Sequence, residues 1–246
     1  MKVRFSVWMH TPLLVAAMLL LASASHAVDG VVEINQTCAV TGGCFTGDTA
    51  GYPVTIDGSA GGSYRLTSNL TVPDADTHGI LIETSSISVD LNGFEILRSG
   101  CEGATTNCAP AQAGSGAGIR VDDIATRFGV SVFNGSVVGM GSIGVFLGQN
   151  SEVRGVRARW NKQGGLGANH NSLLIGNAAF ENGGYGLGCG AGCLFKNNSA
   201  RSNTAYGLSM NIGSGYSNNV MTNNTTGSVF GGVNLGGNVC GLVACP

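Results

Sequence analysis

Charge is scarce in this sequence. Asp, Glu, Lys and Arg make up 11% of its 246 residues, against 43% hydrophobic ones. A disordered chain lacks that hydrophobic fraction, so something regular packs a chain that carries 41 glycines. Basic residues are scarcer still beyond residue 27: ten Lys and Arg against fourteen acids leave a net charge of −4. Nucleic-acid binders carry a basic surplus, so that class is set aside. Only His78 and His170 lie beyond the first 27 residues, and there is no Gly-x-Ser-x-Gly elbow. Ser/His/Asp hydrolysis is therefore unsupported. No phosphate-cradling loop is present, because the many Gly-x-Gly matches read as turn glycines. Helix-length amphipathic runs are missing, and no stretch after residue 27 could cross a membrane as a helix, which takes about 20 apolar residues.

What is there begins with Lys2 and Arg4, the apolar run Leu13 to Leu21, and Ser25-His26-Ala27. This is the pattern of a Sec signal peptide cut near Ala27, with no Cys at the cut to make a lipoprotein. Secretion, to the periplasm or the cell surface, is the expected destination. The eight cysteines form four close pairs, Cys38/Cys44, Cys101/Cys108, Cys189/Cys193 and Cys240/Cys245. Disulfides are the default in an exported chain, and pairing within each couple is expected, each bridge adding about 2 kcal/mol. The alternative is zinc, for which the last two pairs have suitable spacing, but no other ligands support it. Neither metal nor cofactor is expected.

The strongest signal is a period of 21. Asn161, Asn182, Asn203 and Asn224 keep it. So do Val132, Val153, Leu174, Phe195 and Tyr216; Val137, Ala158, Ala179, Ala200 and Met221; Val145, Leu166, Leu187, Leu208 and Val229; and Gly144, Gly165, Gly186 and Gly207. Alternation within a unit is short and β-like, and the leucine-rich signature of similar length is absent. The pattern predicts an all-β single-stranded solenoid, a right-handed parallel β-helix of about eight coils. Apolar columns fill its interior, stacked at roughly 4.8 Å. Gly and Asn take the corners, and inward Asn side chains bond their copies above. The sequons at Asn69, Asn134, Asn197, Asn223 and Asn224 then read as corner residues rather than glycosylation sites. Expected boundaries are a leader at 1–27, a lead-in and cap at 28–60, the solenoid at 61–239 and a disulfide cap at 240–246. The first half is less strict, with a small insertion around 124–127 and a longer one at 98–117 that holds the second Cys pair. Such insertions protrude on one face, which often binds.

GGSYRLTSNLTVPDADTHGILIETSSISVDLNGFEILRSG resembles the opening coils of bacterial secreted right-handed β-helix proteins, as does the lead-in VVEINQTCAVTGGCFTGD. VSVFNGSVVGMGSIGV is similar to the parallel β-helix repeat motif. The resemblance is to the pectin-lyase-like superfamily and covers nearly all of the chain after the leader. It implies the fold; the superfamily holds polysaccharide lyases, glycoside hydrolases, epimerases, adhesins and phage tailspikes, so it leaves the activity open.

Two groups carry candidate chemistry. Glu83 falls one coil from Asp122, Asp123 aligns with Gln149 and then His170, and Arg120 flanks Asp122, near the 98–117 insertion. Stacked carboxylates raise one pKa, as an acid/base site needs. Glu83, Asp122, Asp123 and His170 are the catalytic candidates, against the plainer reading of solvated edge residues. The polygalacturonase-like Gly-His-Gly coil is missing after Asp122-Asp123, and the acids are too scattered for calcium. The second group is a basic strip with an aromatic, made of Arg154, Arg157, Arg159, Arg201 and Phe180, with Lys162 nearby and Arg120 as a further cation. It could hold an anionic polysaccharide or cell-surface glycan. Trp160 could stack on a sugar or cap a turn. The expectation is a monomeric, noncatalytic surface or carbohydrate-binding protein; the alternative is a lyase or glycosidase acting on an acidic polysaccharide.

Overall fold

The computed structural model describes residues 30–104, 108, 113–241 and 243–245. The expected leader lies outside them. The chain is all-β with long parallel sheets, consistent with a parallel β-helix. Its one α-helix among these residues is the short Gln36–Thr41. Among the described residues the strands form one sheet of sixteen and one of eight. The eight-stranded sheet runs from Val54–Ile56 through Ile119–Val121 and Gly164–Ala168 to Gly227–Phe230. The larger sheet holds two columns, joined where the long strands Ser131–Val138 and Glu152–Arg159 belong to both.

The period of 21 is the pairing register. Val153 pairs with Leu174, Leu174 with Phe195 and Phe195 with Tyr216. Ala158, Ala179, Ala200 and Met221 pair likewise, as do Val145, Leu166, Leu187, Leu208 and Val229. Apart from Val229, all of these are buried in one continuous core. Each coil alone exposes its inner face; the stack covers it.

The corners explain the polar and glycine columns. At three places per coil a residue takes a positive φ: Asn150, Asn171 and Gly192 at one, Gly176, Asn197 and Asn218 at the next, Trp160, Glu181 and Ser202 at the third. The following residue then turns its buried N–H away from the strand ladder, and that donor needs an acceptor. An Asn one coil on supplies it. Asn161 N–H donates to Asn182 Oδ1 at 3.1 Å, and Asn161 Nδ2 donates to the same oxygen at 3.0 Å. The ladder continues through Asn203 to Asn224. A second ladder, at Asn177, Asn198, Asn219 and Asn238, stands at the neighbouring corner. The remaining corner uses Ser151, Ser172 and Ser214 as acceptors in the same way. The glycine column follows from the first ladder: a Cβ on Gly186 would lie 2.7 Å from both Asn203 Nδ2 and the Gly207 carbonyl oxygen. Among the described residues no buried side-chain nitrogen or oxygen lacks a partner.

All four cysteine pairs are closed within themselves, which fits an extracellular or otherwise oxidising compartment. Cys44 packs on one end of the core, Cys240 and Cys245 on the other. Cys193, bonded to Cys189, differs from these partly exposed cysteines. It is only 3% exposed and belongs to the main core. The period explains why: Cys193 stands 21 residues after Ser172 and 21 before Ser214, so it takes an inward place in the serine column. Its own N–H still donates to Ser214 Oγ at 3.0 Å, while its sulfur is spent on the bridge. Cys193 is therefore a buried core and corner residue. No helix among the described residues is long and apolar enough to cross a membrane.

Neighbouring Asn residues of one corner should respond oppositely. Asn198 is buried and accepts from Asn177 while donating to the Leu174 carbonyl and to Asn219. Asn198→Ala leaves buried donors unmet and is expected to cost about 2 kcal/mol or more. Asn197 is exposed, with φ +58°. Asn197→Gly should change stability by less than about 1 kcal/mol, because glycine accepts that φ freely. Denaturant unfolding of both variants with disulfides intact measures the contrast; equal costs would refute the ladder's role.

Candidate functional site

The acidic group sits where strands of the eight-stranded sheet end. Ile82 pairs with Val121, so Glu83 and Asp122 are neighbours one coil apart, as the register predicts. The rest of the expected stack differs. Asp123 opens a turn instead of lying under Gln149. Its carboxylate accepts from Ala125 N–H at 2.9 Å and Thr126 Oγ1 at 2.7 Å, and its carbonyl accepts from Arg127 N–H. Gln149 pairs with Phe128 instead, because the extra residues 123–127 carry the chain outward before it rejoins the ladder. Asp122 is held by Arg127, whose Nε and Nη2 each donate to it at 2.8 Å. Both carboxyls are pushed below their usual range, Asp122 chiefly by the Arg127 hydrogen bonds and Asp123 chiefly by Thr126. A general acid needs the opposite shift. His170 Nδ1 accepts from Ala191 N–H at 2.9 Å, an imidazole spent on the next coil's turn, beside the Cys189–Cys193 bridge.

The 98–117 insertion, expected beside these acids, anchors elsewhere. Cys101 and Cys108 are buried with Leu97 and Val138, and Trp160 lies partly buried against them. Arg98 Nε donates to the Gly139 carbonyl at 2.8 Å. A Cβ on Gly139 would collide with both sulfurs, so only glycine admits the bridge there.

That anchorage supports the second group. Arg159, Phe180 and Arg201 pair in register on successive strands, about 4.8 Å apart. Together with Trp160 and Glu181 they line an open cavity of about 270 Å³. Trp160 has φ +58°, an outlying conformation for so bulky a residue. Three contacts fix it there. The disulfide cluster backs the ring, the Arg159 guanidinium lies 5.0 Å above its centre, and indole Nε1–H donates to Glu181 Oε2 at 2.7 Å. Arg159 also reaches Glu95 at 3.2 Å. Arg201 is exposed and has no ion pair among the described residues. The cavity thus combines the Phe180 ring, an indole already covered by Arg159, one committed and one uncommitted cation, and a carboxylate acceptor.

The other predicted cations disperse. Arg154 bonds Glu152 and lines a cavity with Phe133 and Ser131. Arg157 lines a polar trough with Asn197, Ser199 and Asn218. Lys162 is exposed in a turn. Arg120 lies on the eight-stranded sheet, 5.8 Å from the Phe146 ring centre. Glu181 and Glu95 were not anticipated. Glu181 was findable, since it stands 21 residues after Trp160 at the same corner.

The native Asp122 pairing stabilises the fold above the ordinary carboxylate range and is lost as the pH falls through the depressed folded value. Because the pair is largely solvated, Asp122→Asn should cost less than about 1 kcal/mol at neutral pH and nothing in strong acid. Melting curves at both extremes check this; a much larger neutral cost would mean that the carboxylate does more than close its loop.

No protein-family model matches the chain, and neither a curated protein nor a solved structure does.

Proposed function

We propose that this chain is an exported, noncatalytic, right-handed parallel β-helix of the pectin-lyase-like kind, with about eight coils. It binds an acidic polysaccharide or cell-surface glycan on its outer face. The observation that carries the reading is the cavity lined by Arg159, Trp160, Phe180, Glu181 and Arg201. Small-ligand sites join apolar faces to a few fixed polar groups. Here the Phe180 ring offers a stacking face, the indole holds Arg159 and Glu181 in place, Glu181 accepts from hydroxyls, and Arg201 meets a carboxylate or sulfate with a fork of donors. The leader read at 1–27 and the four disulfides agree with export. The depressed carboxyls of Asp122 and Asp123, each held by its own turn, speak against a general acid at that group.

Calorimetry with a polyuronate, a sulfated polymer and a neutral glucan tests this. Binding should be confined to the anionic polymers and weaken as salt screens Arg201. Trp160→Ala and Arg201→Gln should each lower affinity about tenfold, roughly 1.4 kcal/mol, while Asp122→Asn leaves it unchanged. Release of unsaturated or reducing ends from any polymer would overturn the noncatalytic reading, and equal binding by the Arg201 variant would remove the charge assignment.

A further inference from the structure

The trough beside Arg157 and the Trp160 cavity share one face of the molecule. Arg157, Ala178 and Ser199 pair in register on successive strands. So do Arg159, Phe180 and Arg201, two residues further along the same strands. Residues two apart on a strand point to the same side. The first column lines the trough, of about 630 Å³, and the second lines the cavity. Between them the floor is Ala178 and Ser199, whose small side chains raise no wall. From Gly176 at one corner to Glu181 at the next, the joined depression covers roughly 16 Å at 3.3 Å or so per residue.

A gap in the corner column opens the trough. From coil to coil that corner reads Asn134, Gly155, Gly176, Asn197 and Asn218, with φ from +55° to +66°. Asn tolerates this conformation, so the backbone does not demand glycine. Packing does not demand it either. A Cβ on Gly176 would have nothing within 4 Å, and one on Gly155 only Asn134 Oδ1 at 3.6 Å. The two missing side chains leave space next to Arg157. Arg157 is exposed and, like Arg201, has no ion pair among the described residues. The acids around it are engaged already: Glu95 with Arg159, Glu181 with the Trp160 indole, Glu152 with Arg154. Two uncommitted guanidinium groups therefore share the face. Two strand spacings and two residues of rise set their Cα atoms roughly 12 Å apart.

We infer that trough and cavity are one site, and that a single acidic oligosaccharide lies diagonally across this face with one anionic group on Arg201 and another on Arg157. The inference rests on the glycan reading of the cavity and adds a length requirement to it. Each guanidinium fork matches a carboxylate or a sulfate. Two such forks this far apart select a chain with repeated acid groups over a single charged sugar. The exposed carboxamides of Asn197 and Asn218, which also line the trough, supply donors and acceptors for hydroxyls along the chain.

Calorimetry with defined oligomers of a polyuronate and of a sulfated glycan, from the dimer to the hexamer, reads the length requirement. Affinity should rise about tenfold once the oligomer is long enough to reach both arginines, and then level off. Arg157→Gln should remove that rise. Gly176→Asn should remove it too, by filling the gap with a residue that takes the same φ in the next coil, and its circular dichroism should match that of the native chain. Should one variant fail to fold, the other decides. The shortest oligomer that binds should lose less than about twofold in either variant, whereas Arg201→Gln weakens every length. An affinity independent of length, or a rise that persists in either folded variant, overturns the inference and leaves the cavity reading standing. Absence of binding by every oligomer and polymer overturns both.

Discussion

Everything in this molecule depends on finding an acceptor for the buried N–H at each corner. A strand that bends inside a solenoid loses its place in the hydrogen-bond ladder, and an unmet buried amide costs about as much as several good contacts return. The Asn side chain meets two demands together: its oxygen takes the main-chain and side-chain donors of the coil before, and its NH₂ serves that coil's carbonyl. The acceptor must come from the adjacent coil, so the bond fixes register between coils as well as the bend within one. Apolar columns then coincide because the ladders hold them in step.

That coupling is why so much of the architecture was legible. A column is visible in sequence only if spacing is kept from coil to coil, and the ladders enforce that spacing from Val130 to Met221. The Asn177, Asn198 and Asn219 ladder kept the same spacing and was equally readable, although its last member, Asn238, comes two residues early as the coil shortens toward the cap. Cys193 shows a subtler gap: its pairing with Cys189 was readable from their closeness, whereas its burial followed from the serine column, which the apolar periodicity overshadowed. Legibility ends where the chain leaves the ladder. Aligning Asp123 with Gln149 placed the insertion after Asp123, whereas the turn begins at Asp123 itself and Phe128 takes the place beside Gln149. The 98–117 insertion has no column to fix its direction. Its seating against Val138 and Trp160 depends on Gly139 leaving room for two sulfurs, a steric fact that no spacing reveals.

The candidate cavity stands at the border of these regimes. Its Arg159, Phe180 and Arg201 are outward members of a perfect column, so their proximity followed from arithmetic. Its Trp160 is a corner residue that shares its positive φ with Glu181 and Ser202, and its ring is oriented by an irregular insertion, an ion-paired arginine and a glutamate one coil away. Regular scaffolding sets the spacing of the outer side chains, and the insertion gives one of them its special orientation. The dispersal of Arg154 and Arg120 over other surfaces has the same origin: outward side chains are unconstrained by the ladders, and each takes whatever partner its own strand offers.

The glycine column and the first ladder constrain one another. At Gly186 the space of a methyl group is taken by the amide of Asn203 and the carbonyl of Gly207. A side chain at the glycine would need that amide to give way, and truncating the asparagine strips the corner of its acceptor. The two positions are therefore a matched pair, and the 21-residue unit carries them as one feature of its packing.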